Sequence, residues 1–360
     1  MIQALESVKS LWKRAIPFAL YRLPKESRAV LLVGAESTLR SYDSVSEITF
    51  EESFVIAPFN VDEKTPVVAF TPLEEYQIPL NNAETTVNNL FSEPSFSAVE
   101  ASYTNLFNAY HSAIRRGEAE KLVLARQRTQ KLPDSFPPVE AWKKATEAYP
   151  HAFVYLAYTE PTGLWLGASP EVLLSGEGGT WSTTALAGTQ PLEEGALPTC
   201  WTEKNRAEQA YVSTYIRAVL APLASHLEES TPYTIQAGAM AHLKTDFSFQ
   251  LHSSTIVPFL LNALHPTPAV CGLPKREALE FILQHEHDKR SYYAGFLGRI
   301  YPEGATHIYV NIRCLHWQRG QVTFYAGGGI VSSSELEEEW LETERKMDTM
   351  ARLIAVDPSC

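Results

Sequence analysis

Tyr325-Ala326-Gly327-Gly328-Gly329-Ile330-Val331-Ser332-Ser333-Ser334-Glu335-Leu336-Glu337-Glu338-Glu339-Trp340-Leu341-Glu342-Thr343-Glu344-Arg345-Lys346 joins an apolar run to three glycines, a serine turn and an acidic helical pattern. Three residues without Cβ let a ligand touch bare backbone N–H groups. Ser332 and Ser334 stand three residues before Glu335 and Glu337, the spacing of a capping box that opens a helix. Leu336, Trp340, Met347, Met350 and Ile354 then fall on one helical stripe, which predicts a face turned to a core. Glu335, Glu339, Glu342 and Lys346 lie along the edge of that stripe. Carboxylates beside an anion-accepting glycine loop predict a metal-assisted site for a small anion. Taken alone, the stretch also reads as a solvated acidic helix behind a turn.

The 360 residues are enough for a large core, and 45% apolar with 20% charged residues is the composition of a globular protein. A formal charge of −12 argues against a nucleic-acid partner, which needs a basic stripe, but leaves room for a locally positive site. Cys200, Cys271, Cys314 and Cys360 show no zinc-like spacing, as expected for a reducing, cytoplasmic setting. Lys9, Lys13 and Arg14 are followed by a short apolar run broken at Pro17, so neither a secretory signal nor a membrane partner is expected.

Outward from the opening stretch, the chain reads as strands mixed with helices. Residues 1–95 give a first amphipathic helix, a break at Pro17 and Pro24, short strands between 29 and 70, and a polar loop over 72–95. Residues 96–356 give helices near 99–116, 138–148, 202–227 (kinked or ended near Pro222) and 276–284. Their strands fall at 121–126, 152–158, 163–168, 180–187, 233–237, 298–300, 307–315 and 321–326. Strands next to strands with helices between them predict an α+β class, a single large domain, rather than a regular parallel fold.

Several side chains stand out against this frame. Lys121 opens a strand with apolar neighbours, and an ammonium that loses solvent there becomes a better general base. Glu171 sits in a tight turn after a strand, where burial would suit a carboxyl to general-acid work. Gly188 and Thr189 belong to a second backbone-exposing turn. Glu208 shares a helical face with Val212, Ile216 and Val219, so its carboxylate needs a lysine, an arginine or a divalent metal shared with Glu342. Arg313 lies inside a mainly apolar strand, where a guanidinium usually meets a carboxylate. His242 can either face a ligand or fill a polar gap in the core. His285, Glu286, His287 and Asp288 follow a helix and read as a solvated turn rather than a metal cluster.

In this order the pieces resemble the chorismate-utilising enzymes, most closely the isochorismate synthases of menaquinone and siderophore pathways. The resemblance is carried by Lys121–Arg126, Ser169–Glu171, Leu186–Thr189, Glu203–Glu208, His242–Leu243, His265–Gly272, Tyr292–Gly295, Ile312–Arg313 and the opening stretch, across about residues 97–352. It implies a fold like anthranilate synthase component I, with packed antiparallel sheets surrounded by helices. It implies that Lys121 activates water for attack at C2 of chorismate and that Glu171 protonates the departing C4 hydroxyl. Glu208 and Glu342 would hold Mg2+, with Glu339 reaching it through water. Arg313, Lys346 and the backbone at Gly328 and Gly329 would clamp carboxylates, while Gly188, Thr189, His242 and Ala269 line the ring.

Within that resemblance, ammonia-using anthranilate synthases carry a non-basic residue at the Lys121 position. Salicylate synthases keep the lysine but eliminate pyruvate, and differ near Thr267–Val270. Asn205, Gln209 and the Glu335-Leu336 pair depart from the family pattern. The expected activity is Mg2+-dependent isochorismate synthesis with no obligatory protein partner. Salicylate, aminodeoxychorismate or anthranilate synthesis, and a non-catalytic chorismate- or Mg2+-binding protein, are the alternatives.

Overall fold

A computed structural model describes residues 2–80, 98–132, 137–192, 196–237, 240–318 and 320–354. The loop expected over 72–95 falls largely outside these residues, as do the boundary at 95–96 and the end at 356. Two antiparallel sheets dominate. The first runs edge to edge through Gly272–Leu273, Lys121–Lys131, Gln321–Ile330, Cys314–Gln318, Gly163–Ser169, Phe153–Thr159, Phe18–Arg22, Arg28–Val33 and Glu74–Pro79. The second runs through Ala224–Glu229, Met240–Leu251, Thr180–Pro191, Val172–Glu177, Thr306–Val310, Phe296–Ile300, Ser53–Ala57, Val67–Phe70 and Leu39–Tyr42, and Tyr233–Ala237 also pairs with Met240–Leu251.

The main core lies between the sheets. Tyr155 and Trp165 of the first meet Phe54, Phe296 and Tyr309 of the second. Phe153 and Tyr309 stack across the gap at 4.3 Å between ring centroids. A second core covers the other face of the first sheet, where Leu20, Leu31 and Leu156 pack with Val8, Trp142, Met347 and Met350 from three helices, Ile2–Lys13, Pro138–Ala148 and Leu336–Ile354. The stripe expected on the last of these is therefore a core face, with Trp340, Met347, Met350 and Ile354 all buried. On the second sheet, Glu203–Leu220 packs against Thr180–Pro191.

The N-terminal strands are built into both sheets, since Phe18–Arg22 pairs with Phe153–Thr159 and Ser53–Ala57 pairs with Phe296–Ile300. Phe18–Arg22 is absent from the sequence reading because all five of its residues are buried, so it shows no alternation. Arg22 ends it by donating to the Pro150 and Tyr149 carbonyls at 2.7 and 2.6 Å.

Three elements shape the site, the first two in ways that differ from expectation. The glycines Gly327–Gly329 are not a loop: they continue the strand Gln321–Ile330, paired with Ala125, Leu124 and Val123. The expected strand 307–315 is two strands, because the chain crosses between sheets at Asn311–Arg313. Arg313 adopts φ 50° at that crossing rather than strand geometry. The helix beginning near Thr202 stops at Leu220, ahead of Pro222, and Ala224–Glu229 follows as an edge strand. No helix among the described residues is long and apolar enough to cross a membrane.

One glycine tests the packing of the second sheet. Gly298 has φ +152°, and a Cβ there would stand 1.9 Å from the His307 carbonyl oxygen. Gly298→Ala is expected to cost at least about 2 kcal/mol of stability, read as a lower urea midpoint; an unchanged midpoint contradicts the packing described.

Candidate active site

Lys121 begins the strand Lys121–Lys131 and is fully buried. Its side chain runs beneath Gly329: a Cβ on that glycine would lie 2.8 Å from Lys121 Cε and 2.9 Å from Glu208 Oε1. The glycine is thus required for the close approach of three elements. On the opposite face of the same strand, a Cβ on Gly328 would lie 2.9 Å from Glu339 Oε2. Alternation along the strand therefore sends Gly329 toward the Lys121–Glu208 pair and Gly328 toward the terminal helix.

Three carboxylates and three lysines meet here in pairs. Lys121 Nζ donates to Glu208 Oε1 at 2.7 Å, Lys204 Nζ to Glu339 Oε1 at 2.6 Å, and Lys346 Nζ to Glu342 Oε1 at 2.7 Å. Lys346 also donates to the Gly327 carbonyl at 2.8 Å, which ties the terminal helix to the glycine strand. Burial alone would raise the Glu208 carboxyl, but Lys121, Lys346 and Lys204 together hold it below its ordinary value. Glu339 goes the other way: burial and the adjacent Glu342 charge push it up against the pull of Lys204.

These oxygens are the hard donors that Mg2+ prefers. Glu339 Oε2 is buried with no hydrogen-bond partner among the described residues, and such an orphaned oxygen fits a site completed by a cation or its water. The carboxylates do not converge as a ready metal cluster among the described residues, because lysines stand between them. Glu208, Glu342 and Glu339, the expected metal residues, are each held instead by a lysine.

Glu171, Gly188, Thr189, His242, Ala269 and Arg313 line the same cleft as Glu208, Gly329, Glu342 and Lys346. Lys121, Gly328 and Glu339 lie behind its surface. Glu171 follows the strand Gly163–Ser169 and is buried; desolvation pushes its carboxyl up to about 7, although the Thr267 hydroxyl and the Lys121 and Lys346 charges oppose the shift. The Thr267 hydroxyl donates to Glu171 Oε1 at 3.3 Å. Gly188, φ +67°, sits at a bulge in Thr180–Pro191 that turns the following residue, Thr189, toward His242.

Arg313 donates to His242 Nε2. Burial, reinforced by the Arg313 and Lys346 charges, holds the imidazole well below its ordinary value, so it is neutral. Its remaining proton then belongs on Nδ1, 3.3 Å from the Thr189 hydroxyl. Burial lowers Arg313 to about 10, which leaves it a cation at neutral pH.

Sequence reasoning missed several supports. Gln209 accepts from Ala187 N at 2.9 Å and donates to Ala185 O at 3.1 Å, pinning the helix that carries Glu208 to the cleft strand. Glu344 is buried, paired with Arg126, whose guanidinium also covers the Trp340 ring at 3.7 Å. Helical spacing alone puts Glu344 on the polar side; the strand arginine that captures it is 218 positions away.

The chain belongs to the family of chorismate binding enzymes, which it matches over residues 65–355. It is 32% identical over 259 residues to the isochorismate synthase DhbC of Bacillus subtilis strain 168, covering 68% of this chain and 65% of that protein. The chain spans about half to two thirds of the length of the curated relatives it matches. Its fold is that of a putative 2,3-dihydroxybenzoate-specific isochorismate synthase, DhbC from Bacillus anthracis, with a TM-score of 0.79, 24% identity, and 98% and 100% of the two chains covered. Anthranilate synthase component I from Streptococcus pneumoniae TIGR4 shares it at a TM-score of 0.69 and 17% identity, with 92% and 89% covered. One fold thus serves proteins of different names, and the cleft residues must decide between activities.

The Glu171 shift has a consequence for stability that does not depend on activity. The folded chain holds a proton at Glu171 between pH 4.5 and about 7 that the unfolded chain has released, so the stability linked to this group falls as pH rises through that window. Glu171→Gln, neutral at every pH, is expected to be more stable than the wild type above pH 7, by on the order of 3 kcal/mol. The gain should vanish near pH 4.5; a difference that stays flat with pH contradicts the buried, proton-holding carboxyl.

Proposed function

We propose that this chain is an isomerase that converts chorismate to isochorismate reversibly with Mg2+, in the cytoplasm. The observation that carries the reading is a pair of buried groups, Lys121 directly behind the cleft and Glu171 in its wall, the second a carboxyl that holds a proton near neutrality. One group to take a proton and one to give it are what a substitution of one hydroxyl for another requires. A basic residue at position 121 also favours water over ammonia as the nucleophile.

In this mechanism Lys121 removes a proton from a water that attacks C2, the ring double bonds shift, and Glu171 gives its proton to the departing C4 hydroxyl. One water enters and one leaves, so the product is an isomer. Microscopic reversibility runs the same two groups in opposite senses for the return reaction. Bound through Glu208, Glu342 and, by way of water, Glu339, Mg2+ would supply positive charge for the ring carboxylate. Arg313 and Lys346 offset the substrate's second negative charge, and the neutral His242 orients Arg313. In the pairs described above Lys121 is engaged as a donor to Glu208, so its role as base requires that carboxylate to turn to another cation.

Chorismate with Mg2+, resolved chromatographically, is expected to give isochorismate. Salicylate with pyruvate would overturn this reading, and tight binding without turnover would assign the chain to the non-catalytic binders. Lys121→Ala should lower turnover at least about 100-fold while retaining chorismate binding. In the wild type, kcat should fall as pH rises through about 7, where Glu171 loses its proton; a kcat that keeps rising above that pH removes Glu171 as the acid.

A further inference from the structure

Glu286, in the segment expected to be a solvated turn, and Arg290, just beyond it, lie outside the cleft, yet both side chains are buried, 7% and 4% exposed. The Arg290 guanidinium grips Glu286 in two places, Nε to Oε2 at 2.7 Å and Nη2 to Oε1 at 2.6 Å. Its remaining donors reach two backbone carbonyls, Val270 at 2.7 Å and Val123 at 2.6 Å. Glu286 Oε1 in turn accepts from Ala125 N at 3.0 Å and from the Tyr110 hydroxyl at 3.1 Å. The ring of Phe59 closes over the guanidinium at 4.2 Å.

The residues gripped are cleft walls. Val123 and Val270 both line the cleft, Val123 two positions from Lys121 and Val270 next to Ala269. The main chain that follows Arg290 carries Tyr293, another wall, whose N–H donates to the Arg290 carbonyl at 3.0 Å. One planar fork therefore sets the spacing between the strand that carries Lys121 and the segment beside the expected ring. Only a guanidinium has enough fixed donors to hold a carboxylate and two carbonyls at once; an ammonium cannot reproduce that geometry.

We propose that Arg290, held by Glu286, is a positioning residue that fixes Lys121 relative to the Ala269–Val270 wall and so sets the rate of the chemical step. Its kinetic consequence rests on the hydration reading above; the geometric clasp does not. A displacement of the base by about 1 Å from remote loss of support costs on the order of 100-fold in rate.

The test compares the wild type with Arg290→Lys, which keeps the charge and loses the fork, and with the double variant Arg290→Met/Glu286→Met, which leaves no unpaired buried charge. Both are examined for turnover of chorismate with Mg2+, for KM, and for thermal melting. Expected is a kcat lowered about 100-fold in both, with KM within about threefold and turnover measured well below the melting temperature. A kcat equal to that of the wild type in whichever variant folds, whatever its melting temperature, overturns the proposal. Should the wild type itself fail to turn chorismate over, the hydration reading falls, and the clasp is judged by hydrogen exchange. Loss of protection confined to residues 121–127 and 268–273 in the double variant then supports it, and unchanged protection overturns it.

Discussion

The site depends on the Lys121–Glu208 ion pair, whose ammonium is fully buried and whose carboxylate faces the cleft, at a point where the glycine strand has no side chain. Such a pair is costly to build, and removing Glu208 leaves a buried charge without its partner. That constraint explains why Gly329 must lack a Cβ, why Glu208 is presented from a helix pinned by Gln209, and why Lys121 opens a strand fixed on both sides. The two sheets supply what a single sheet could not. The first holds the lysine and glycine strands in register, and the second brings Thr180–Pro191, His242 and the helix with Glu208 to face them.

Charge around the cleft is arranged for exchange rather than for neutrality alone. Each of the three carboxylates proposed for the metal is held by a lysine, and the lysines pull Glu208 down while Glu339 and Glu171 are pushed up. The opposite shifts have one origin. Burial raises every carboxyl, and the outcome depends on the charges around it. Three lysines pull Glu208 down, the Glu342 charge keeps Glu339 raised although Lys204 donates to it, and Glu171 has only a hydroxyl partner and more distant charge. An acidic chain thereby places the basic side chains of Arg313 and Lys346 in the cleft wall, with Lys121 directly behind it.

Much of this was legible in the sequence where a single element carries the signal. The stripe of Trp340, Met347, Met350 and Ile354 became a core face, and the strand expected over 121–126 begins at Lys121, though it runs on to Lys131. The expected cleft residues are brought to one region of the molecule by the ordering of weak motifs, not by any one of them. Arg313 looked like a strand residue because both sides of a sheet crossing are apolar, and one-dimensional hydropathy does not register a change of sheet. Glu286 looked solvated, and helical spacing puts Glu344 on the polar side, because charge spacing does not reveal which backbone groups or distant arginines will meet them. Their burial draws on contacts 160 or more positions away, such as Ala125 with Glu286 and Arg126 with Glu344.

Addition of water at C2 by Lys121, with departure of the C4 hydroxyl assisted by Glu171, is tested most directly by an oxygen label. Chorismate and Mg2+ are incubated with the enzyme in 18O-enriched water, and the isochorismate is analysed by mass spectrometry after a single turnover. The account predicts one 18O atom in the product, at the C2 hydroxyl. Product formed without label, its hydroxyl carried over from C4, would contradict it.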